Sequence, residues 1–313
     1  MDASTFSHQP IGLGLDQLVD LQKHRVDAER GWSLEHAFSY DNPGVVMTIG
    51  TLVLTFVLEL VSFDQVLKIC SGKEKRELYA KGVLMNLVNN GVIGPMLYEL
   101  VATRWVSPPM ATGPRMAMVS AILLAHALGY YLAHRWMHTR SMYWAHRFHH
   151  RFNTVVVPVT ANAVSLAEYA IAYMLPFIIG AKVLRPDHLS LFIGVGIISL
   201  NNLLIHTPSL ADLSARLVPW LFVSTEDHLQ HHKRLTTHYA APTISVDRLL
   251  ACVVGTPKSW NAKFDAAEQV VQSEPPVTKV RTSPRRRVEA YPVGADDRRR
   301  ESDAPPADNK KKL

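Results

Sequence analysis

An all-helical protein built into a membrane is the fold class that this 313-residue sequence predicts, and three observations carry the expectation. Five apolar runs close to span length lie between residues 44 and 207; a helix needs about 20 mostly apolar residues to cross a bilayer. The connections between them are short, which leaves too little polar helix surface for a soluble bundle. Eight histidines then fall at helical spacing in two blocks, one after the third run and one after the fifth. The expected architecture is a set of transmembrane helical hairpins under a cytosolic, histidine-rich helical cap, followed by a disordered C-terminal tail.

The first run, Gly44 to Phe63, is broken only by Glu59. The second, Gly82 to Thr103, carries Asn86, Asn89, Asn90, Pro95 and Glu99. Arg115 to Ala133 is apolar apart from His126, and Ala163 to Leu184 and Leu189 to Thr207 flank the turn Arg185-Pro186-Asp187-His188. Residues 1–43 form a polar segment with no basic stretch leading into a short apolar one, so no cleavable signal peptide is expected; residues 16–40 are a candidate surface helix. Leu210 to Val223 mixes Leu213, Leu217 and Trp220 with Asp212 and Arg216, the pattern of a helix lying in the membrane interface. Ser224-Thr225-Glu226-Asp227 then reads as a helix start, with a capping hydroxyl and acids in the first turn.

Charge sets the orientation and excludes one class of partner. The formal charge of +6 is largely tail: eleven Lys or Arg face six Asp or Glu between Lys279 and Leu313. That stretch has a single aromatic, Tyr291, and lacks the interleaved basic and aromatic surface of a nucleic-acid binder. Pro, Ser, Arg and Asp dominate from Asp265 onward, which predicts disorder. The first loop holds Lys68, Lys73, Lys75, Arg76 and Lys81, whereas residues 104–114 hold one basic residue. The positive-inside rule puts the first loop in the cytosol, and counting spans brings His134, His206 and the last histidine block to the same side. Cys70 and Cys252 offer neither a disulfide framework nor a thiolate site. The organisation is 1–43 polar segment, 44–112 first hairpin with its loops, 113–264 histidine-bearing domain and 265–313 basic tail.

In a helix, residues three and four apart share a face. His134 with His138, His146 with His149 and His150, and His228 with His231 and His232 therefore each present imidazoles on one side. Neutral imidazole is the commonest protein metal ligand, and it suits zinc, copper, iron and nickel alike. Any one of these histidines alone reads best as structural; the set at ligand spacing three times over reads as a metal site. His126 lies two turns before His134, about 12 Å deeper, too far to share a ligand shell, and is a candidate for lining a substrate route. Glu168 is a second such candidate, because ionisable residues at membrane depth are functional by default.

The order His-Arg-x-x-His, His-x-x-His-His, His-x-x-His-His on a hairpin scaffold resembles the fatty acid hydroxylase and sterol desaturase superfamily, over roughly Gly113 to Pro257. The resemblance implies a membrane non-haem di-iron oxygenase: two iron ions, O2 as co-substrate and a lipid substrate, whether a sterol, a squalene-like chain or a fatty acyl chain. It assigns His134, His138, His146, His149, His150, His228, His231 and His232 as ligands and adds His206. Glu226, Asp227 and Asp247 are the acids expected to hold ligand imidazoles in place. It also implies an external electron donor, cytochrome b5 with its reductase or a ferredoxin, and residence in the endoplasmic reticulum or a bacterial inner membrane. The closing Lys310-Lys311-Lys312-Leu313 resembles a dilysine retrieval signal. His238-Tyr239-Ala240, Val246-Asp247-Arg248 and Ser165-Leu166-Ala167-Glu168 stand where the family commonly shows Asn-Tyr-Gly, Trp-Asp-Arg and His-Pro-x-Glu, which leaves the substrate open. Desaturation on the same scaffold, a zinc hydrolase and a metal-binding protein without catalysis are the competing readings.

Overall fold

The computed structural model describes residues 31–153 and 156–255; among them there is no strand, only one isolated bridge between Phe222 and Ile244. The helices are α1 Leu34–Ala37, α2 Pro43–Val61, α3 Phe63–Cys70, α4 Lys73–Asn86, α5 Gly94–Trp105, α6 Thr112–Met137, α7 Tyr143–His150, α8 Leu166–Leu184, α9 His188–Ile205, α10 Ala211–Leu217, α11 Thr225–Arg234 and α12 Val246–Val254. Of the surface helix expected over 16–40, the single turn α1 is described, capped by Ser33; residues 16–30 lie outside the described residues. So do the expected disordered tail and its closing lysines.

Four helices are long and apolar enough to cross a membrane: α2, α6, α8 and α9. Their outward faces are hydrocarbon, with Ile49, Val53, Phe56 and Leu60 exposed along α2 and Leu124, Leu128 and Leu132 along α6. An apolar exterior over whole helices is stable only where lipid replaces water.

The second apolar run departs from the sequence expectation. It is not among those four; a π-helical stretch, Leu87–Ile93, joins α4 to α5. Pro95 sits at the start of α5, and a proline nitrogen cannot donate to the preceding turn, so a wider turn absorbs its ring. The same device recurs in α8, where the π stretch Tyr169–Met174 precedes Pro176. The asparagines that weaken the run point inward. Asn86 Nδ2 donates to Val159 O (3.2 Å), and Asn89 Nδ2 donates to Asn162 O (3.2 Å) and Val164 O (3.1 Å). These amides satisfy irregular backbone that hydrocarbon could not.

Helix α6 is the axis of the bundle, with α8 and α9 packed on it. A Cβ on Gly129 would lie 2.7 Å from Pro176 Cβ, and one on Gly194 would lie 2.9 Å from Ile122 Cγ2, so glycine sets both close approaches. At one end of the bundle, Arg115 pairs with Asp187 (3.0 Å), and Ser107 N donates to Pro186 O (2.8 Å). Asp187 is buried, which alone would raise its pKa, but hydrogen bonds from Ser190, the Met110 backbone and Arg115 hold it below the usual value. At the other end, Val159 N donates to Glu59 Oε1 (2.6 Å) and Ser209 Oγ meets Ser62 Oγ (3.2 Å). The histidines gather at this second end, where α2 closes and is followed by Lys68 of α3 and Lys73, Lys75, Arg76 and Lys81 of α4; the basic stretch expected as a loop is therefore helical. Trp136, Trp144 and Trp220 are exposed there, at the level where indole rings favour a membrane interface. Of the interfacial helix expected over Leu210 to Val223, the structure shows the shorter α10, Ala211–Leu217, with Leu213 and Leu217 exposed.

Candidate metal centre

Local capping fixes each histidine-bearing element. His138 closes α6, its N–H donating to His134 O (3.1 Å). Ser165 Oγ donates to Ala145 O (2.6 Å), which clamps α7 beside the start of α8. Helix α11 begins with a reciprocal box: Asp227 N donates to Ser224 Oγ (3.1 Å), and Ser224 N to Asp227 Oδ2 (3.1 Å). It ends at Leu235, in the left-handed region at φ 59°.

Nine imidazoles converge, but in two neighbouring sets. His134, His138, His146, His150 and His231 form one, and His149, His206, His228 and His232 the other; within each set the ligand nitrogens lie within 4.8 Å of one another. The sets touch, His150 and His232 having ring centroids 5.0 Å apart. Both His-x-x-His-His helices divide in the same way. The i, i+4 pair goes to one set and the intervening i+3 residue to the other, so His149 leaves His146 and His150, and His231 leaves His228 and His232. Positions i+3 and i+4 differ by about 100° around a helix, which lets one short helix serve two centres.

Backbone oxygens settle three tautomers. His134 Nδ1 donates to Tyr239 O (2.7 Å), His231 Nδ1 to Thr237 O (2.8 Å) and His206 Nδ1 to Asn202 O (2.8 Å). A carbonyl only accepts, so the Nε2 of each carries a bare lone pair turned to the centre. His231 Nε2 is buried without a protein donor. His134 Nε2 is approached by His146 Nε2 at 2.9 Å and His138 Nε2 at 3.3 Å. Converging buried lone pairs of this kind call for a cation among them, so the residues present fit a bound metal. His146 Nδ1 meets Glu168 Oε1 (2.7 Å), both side chains fully buried; this carboxyl group orients the ring and, ionised beside a bound cation, would supply a balancing negative charge.

Burial keeps the imidazoles neutral. It lowers His138 to about 4, and it lowers His206 to about 4 against the opposing Asn202 backbone hydrogen bond. His231 falls to about 3 through burial and then His138. Burial followed by neighbouring imidazoles also pushes His146, His149, His150, His228 and His232 down. Neutral rings are the form that ligates.

The acids expected to hold ligands lie elsewhere. Glu226 accepts from Gln230 Nε2 (2.6 Å), and Asp227 caps α11 and pairs with Arg248; among the described residues neither is hydrogen-bonded to any of the nine histidines, because these other partners at the start of α11 engage both. Asp247 acts one step removed. Its Oδ2 accepts from Ala240 N (2.7 Å) and so holds the loop that offers Tyr239 O to His134; burial raises its pKa. Glu168, expected on a substrate route, hydrogen-bonds His146 instead, since it lies in the first turn of α8 beside α7. His126 does line a cavity in the bundle. The sequence reading missed Thr237, Tyr239 and Asn202, whose backbone carbonyls carry no side-chain signal. It also missed the inward-facing asparagines, which their place in apolar runs could have flagged.

Residues 119–252 match the family model described as fatty acid hydroxylase. No curated protein and no solved structure matches the chain.

Proposed function

We propose, from the premise that this chain belongs to the fatty acid hydroxylase and sterol desaturase superfamily, that it is an integral membrane di-iron oxygenase that hydroxylates a lipid. The carrying observation is the convergence of nine imidazoles, eight of them buried, in two touching sets, with the lone pairs of His134, His231 and His206 fixed inward by backbone carbonyls. When bound, a pair of iron ions would supply the redox chemistry by which O2, two electrons and two protons convert a C–H bond to C–OH with release of water.

The chain's own residues bind, orient and exclude water. His134, His138, His146, His150 and His231 would hold one ion, and His149, His206, His228 and His232 the other. Glu168 and the carbonyls of Tyr239, Thr237 and Asn202 keep the rings aimed. Tyr130, its ring centroid 5.1 Å from that of Tyr173 and 5.2 Å from that of His134, packs between the histidines and the bundle interior. Electrons come from a separate redox protein, and exposed Arg147, Arg151 and Lys233 near the centre offer an acidic partner a docking face. The basic residues of α3 and α4 follow the close of α2 at the histidine end, and by the positive-inside rule they support a cytosolic reading of that end.

Iron-loaded protein in lipid nanodiscs, given reductant and a lipid extract, is expected to consume O2 and to yield a product heavier by one oxygen. A product lighter by two hydrogens would assign desaturation. No O2 uptake at full iron occupancy would overturn the reading.

A further inference from the structure

The bundle interior contains polar groups that the histidine centre does not use. A cavity of about 90 Å³, open to the outside, lies between α2, α5, α6, α8 and α9. Asn202 and Tyr173 form its wall towards the histidines, and Tyr98 and Gly44 its far wall. For a space at membrane depth its lining is unusually rich in polar groups, including Thr51, Tyr98, His126, Tyr169, Ser199 and Asn202.

Two of these groups lack a partner. Tyr98 Oη and His126 Nδ1 are buried without a hydrogen bond, and each residue is only 4% exposed. The His126 ring also bonds the Tyr173 backbone, where only a ring N–H can donate to the carbonyl, so Nδ1 is left as an acceptor. A buried polar group without a partner costs free energy that a suitable ligand recovers. A hydrocarbon would leave both unmet.

We propose that this cavity seats the oxygen-bearing end of a lipid alcohol, whose hydroxyl donates to His126 Nδ1 and accepts from Tyr98 Oη. The apolar body then runs towards Asn202 and Tyr173, beneath both histidine sets; this direction rests on the oxygenase reading, while the binding itself does not. His126 stands two turns below His134 on α6, about 12 Å at 1.5 Å per residue. The carbon presented for oxidation is therefore about that far from the hydroxyl, and the substrate class is an amphipathic alcohol rather than a pure hydrocarbon.

Zinc-loaded full-length protein, which cannot turn over, is equilibrated in detergent micelles with equal amounts of 1-hexadecanol and hexadecane. Lipid retained by the protein is quantified by gas chromatography against protein-free micelles. Wild type is expected to favour the alcohol by on the order of tenfold, the worth of one to two net hydrogen bonds. Tyr98→Phe removes only the hydroxyl and should cut that preference about fivefold, with hexadecane retention unchanged. His126→Phe should do the same where circular dichroism shows a folded protein. Equal retention of both probes by wild type, or an undiminished preference in Tyr98→Phe, would overturn the proposal. An alcohol preference in a protein that never consumes O2 would remove the oxygenase reading and leave the alcohol site standing.

Discussion

The two histidine sets are built from the same residue type yet are held in different ways. In the five-histidine set, His134, His146 and His231 each lean on an oxygen acceptor, one of them the Glu168 carboxylate. In the four-histidine set His206 leans on the Asn202 carbonyl and His149 on the Ala163 backbone, whereas the Nδ1 atoms of His228 and His232, like that of His150 in the first set, have no acceptor. Yet that second set is wholly buried, whereas His138 of the first is partly exposed. The first set thus has three rings aimed by oxygen acceptors against two in the second, which relies more on packing. Outer acceptors raise ligand basicity and fix ring direction, so the first set should grip its ion more tightly.

Removing a ligand from the better-held set tests that contrast most severely. His146→Ala is expected to lower metal content from two ions per chain towards one and to reduce lipid oxidation by more than ~100-fold, beyond the range for losing an outer partner. Elemental analysis of protein expressed in iron-rich medium, with product assay, reads both. Glu168→Gln keeps the shape and removes the charge, and should weaken the first site by about 10- to 100-fold while the second retains its ion. Equal loss from both sites would erase the distinction drawn here. In the unaltered protein, chelator titration should empty the sites in two phases, the packed set first, with midpoints separated by about tenfold; a single phase would mean that the sets act as one.

Acid should act on the metal-free protein in a defined direction. His206 and His231 titrate near 4 and 3 when folded against roughly 6.5 unfolded, so the unfolded chain binds more protons between those values. Stability is full above about pH 6.5 and falls as pH drops towards 3 to 4, by about 1 kcal/mol per pH unit for each such histidine. Thermal melts across that window read the slope, and bound metal should shift the loss to lower pH. The smallest effect is expected of Asp247→Asn, which loosens the Tyr239 loop without touching a ligand. A few-fold fall in first-site affinity is the expectation, measured by competition with a fluorescent chelator.

Much of this was legible in the chain because local rules govern it. Four of the five apolar runs qualify as spans; the second does not, since Asn86, Asn89, Asn90 and Glu99 make it too polar, and its asparagines serve internal backbone instead. Ser224 and Asp227 form the cap that their order suggested, and in doing so Asp227 is turned away from the imidazoles. Glu168 could be flagged as a buried acid within an apolar stretch, yet nothing local distinguishes a route-lining carboxylate from one aimed at His146. That depends on how the start of α8 meets α7, through Ser165 and Ala145.

By itself the sequence determined that the histidines stand on helical faces beside apolar helices, because a 3.6-residue period and a hydrocarbon length are properties of the chain alone. Only the tertiary structure decided which imidazoles belong together. Residues three and four apart point about 100° from each other, and the partner that meets each direction comes from a segment up to a hundred residues away. His149 therefore joins His206, His228 and His232, while His231 crosses to the first set. The carbonyls that aim them, those of Thr237 and Tyr239 in a loop and of Asn202 in α9, gave no sign of it in their side chains, because a backbone oxygen is common to every residue and only the path of the chain gives it a target.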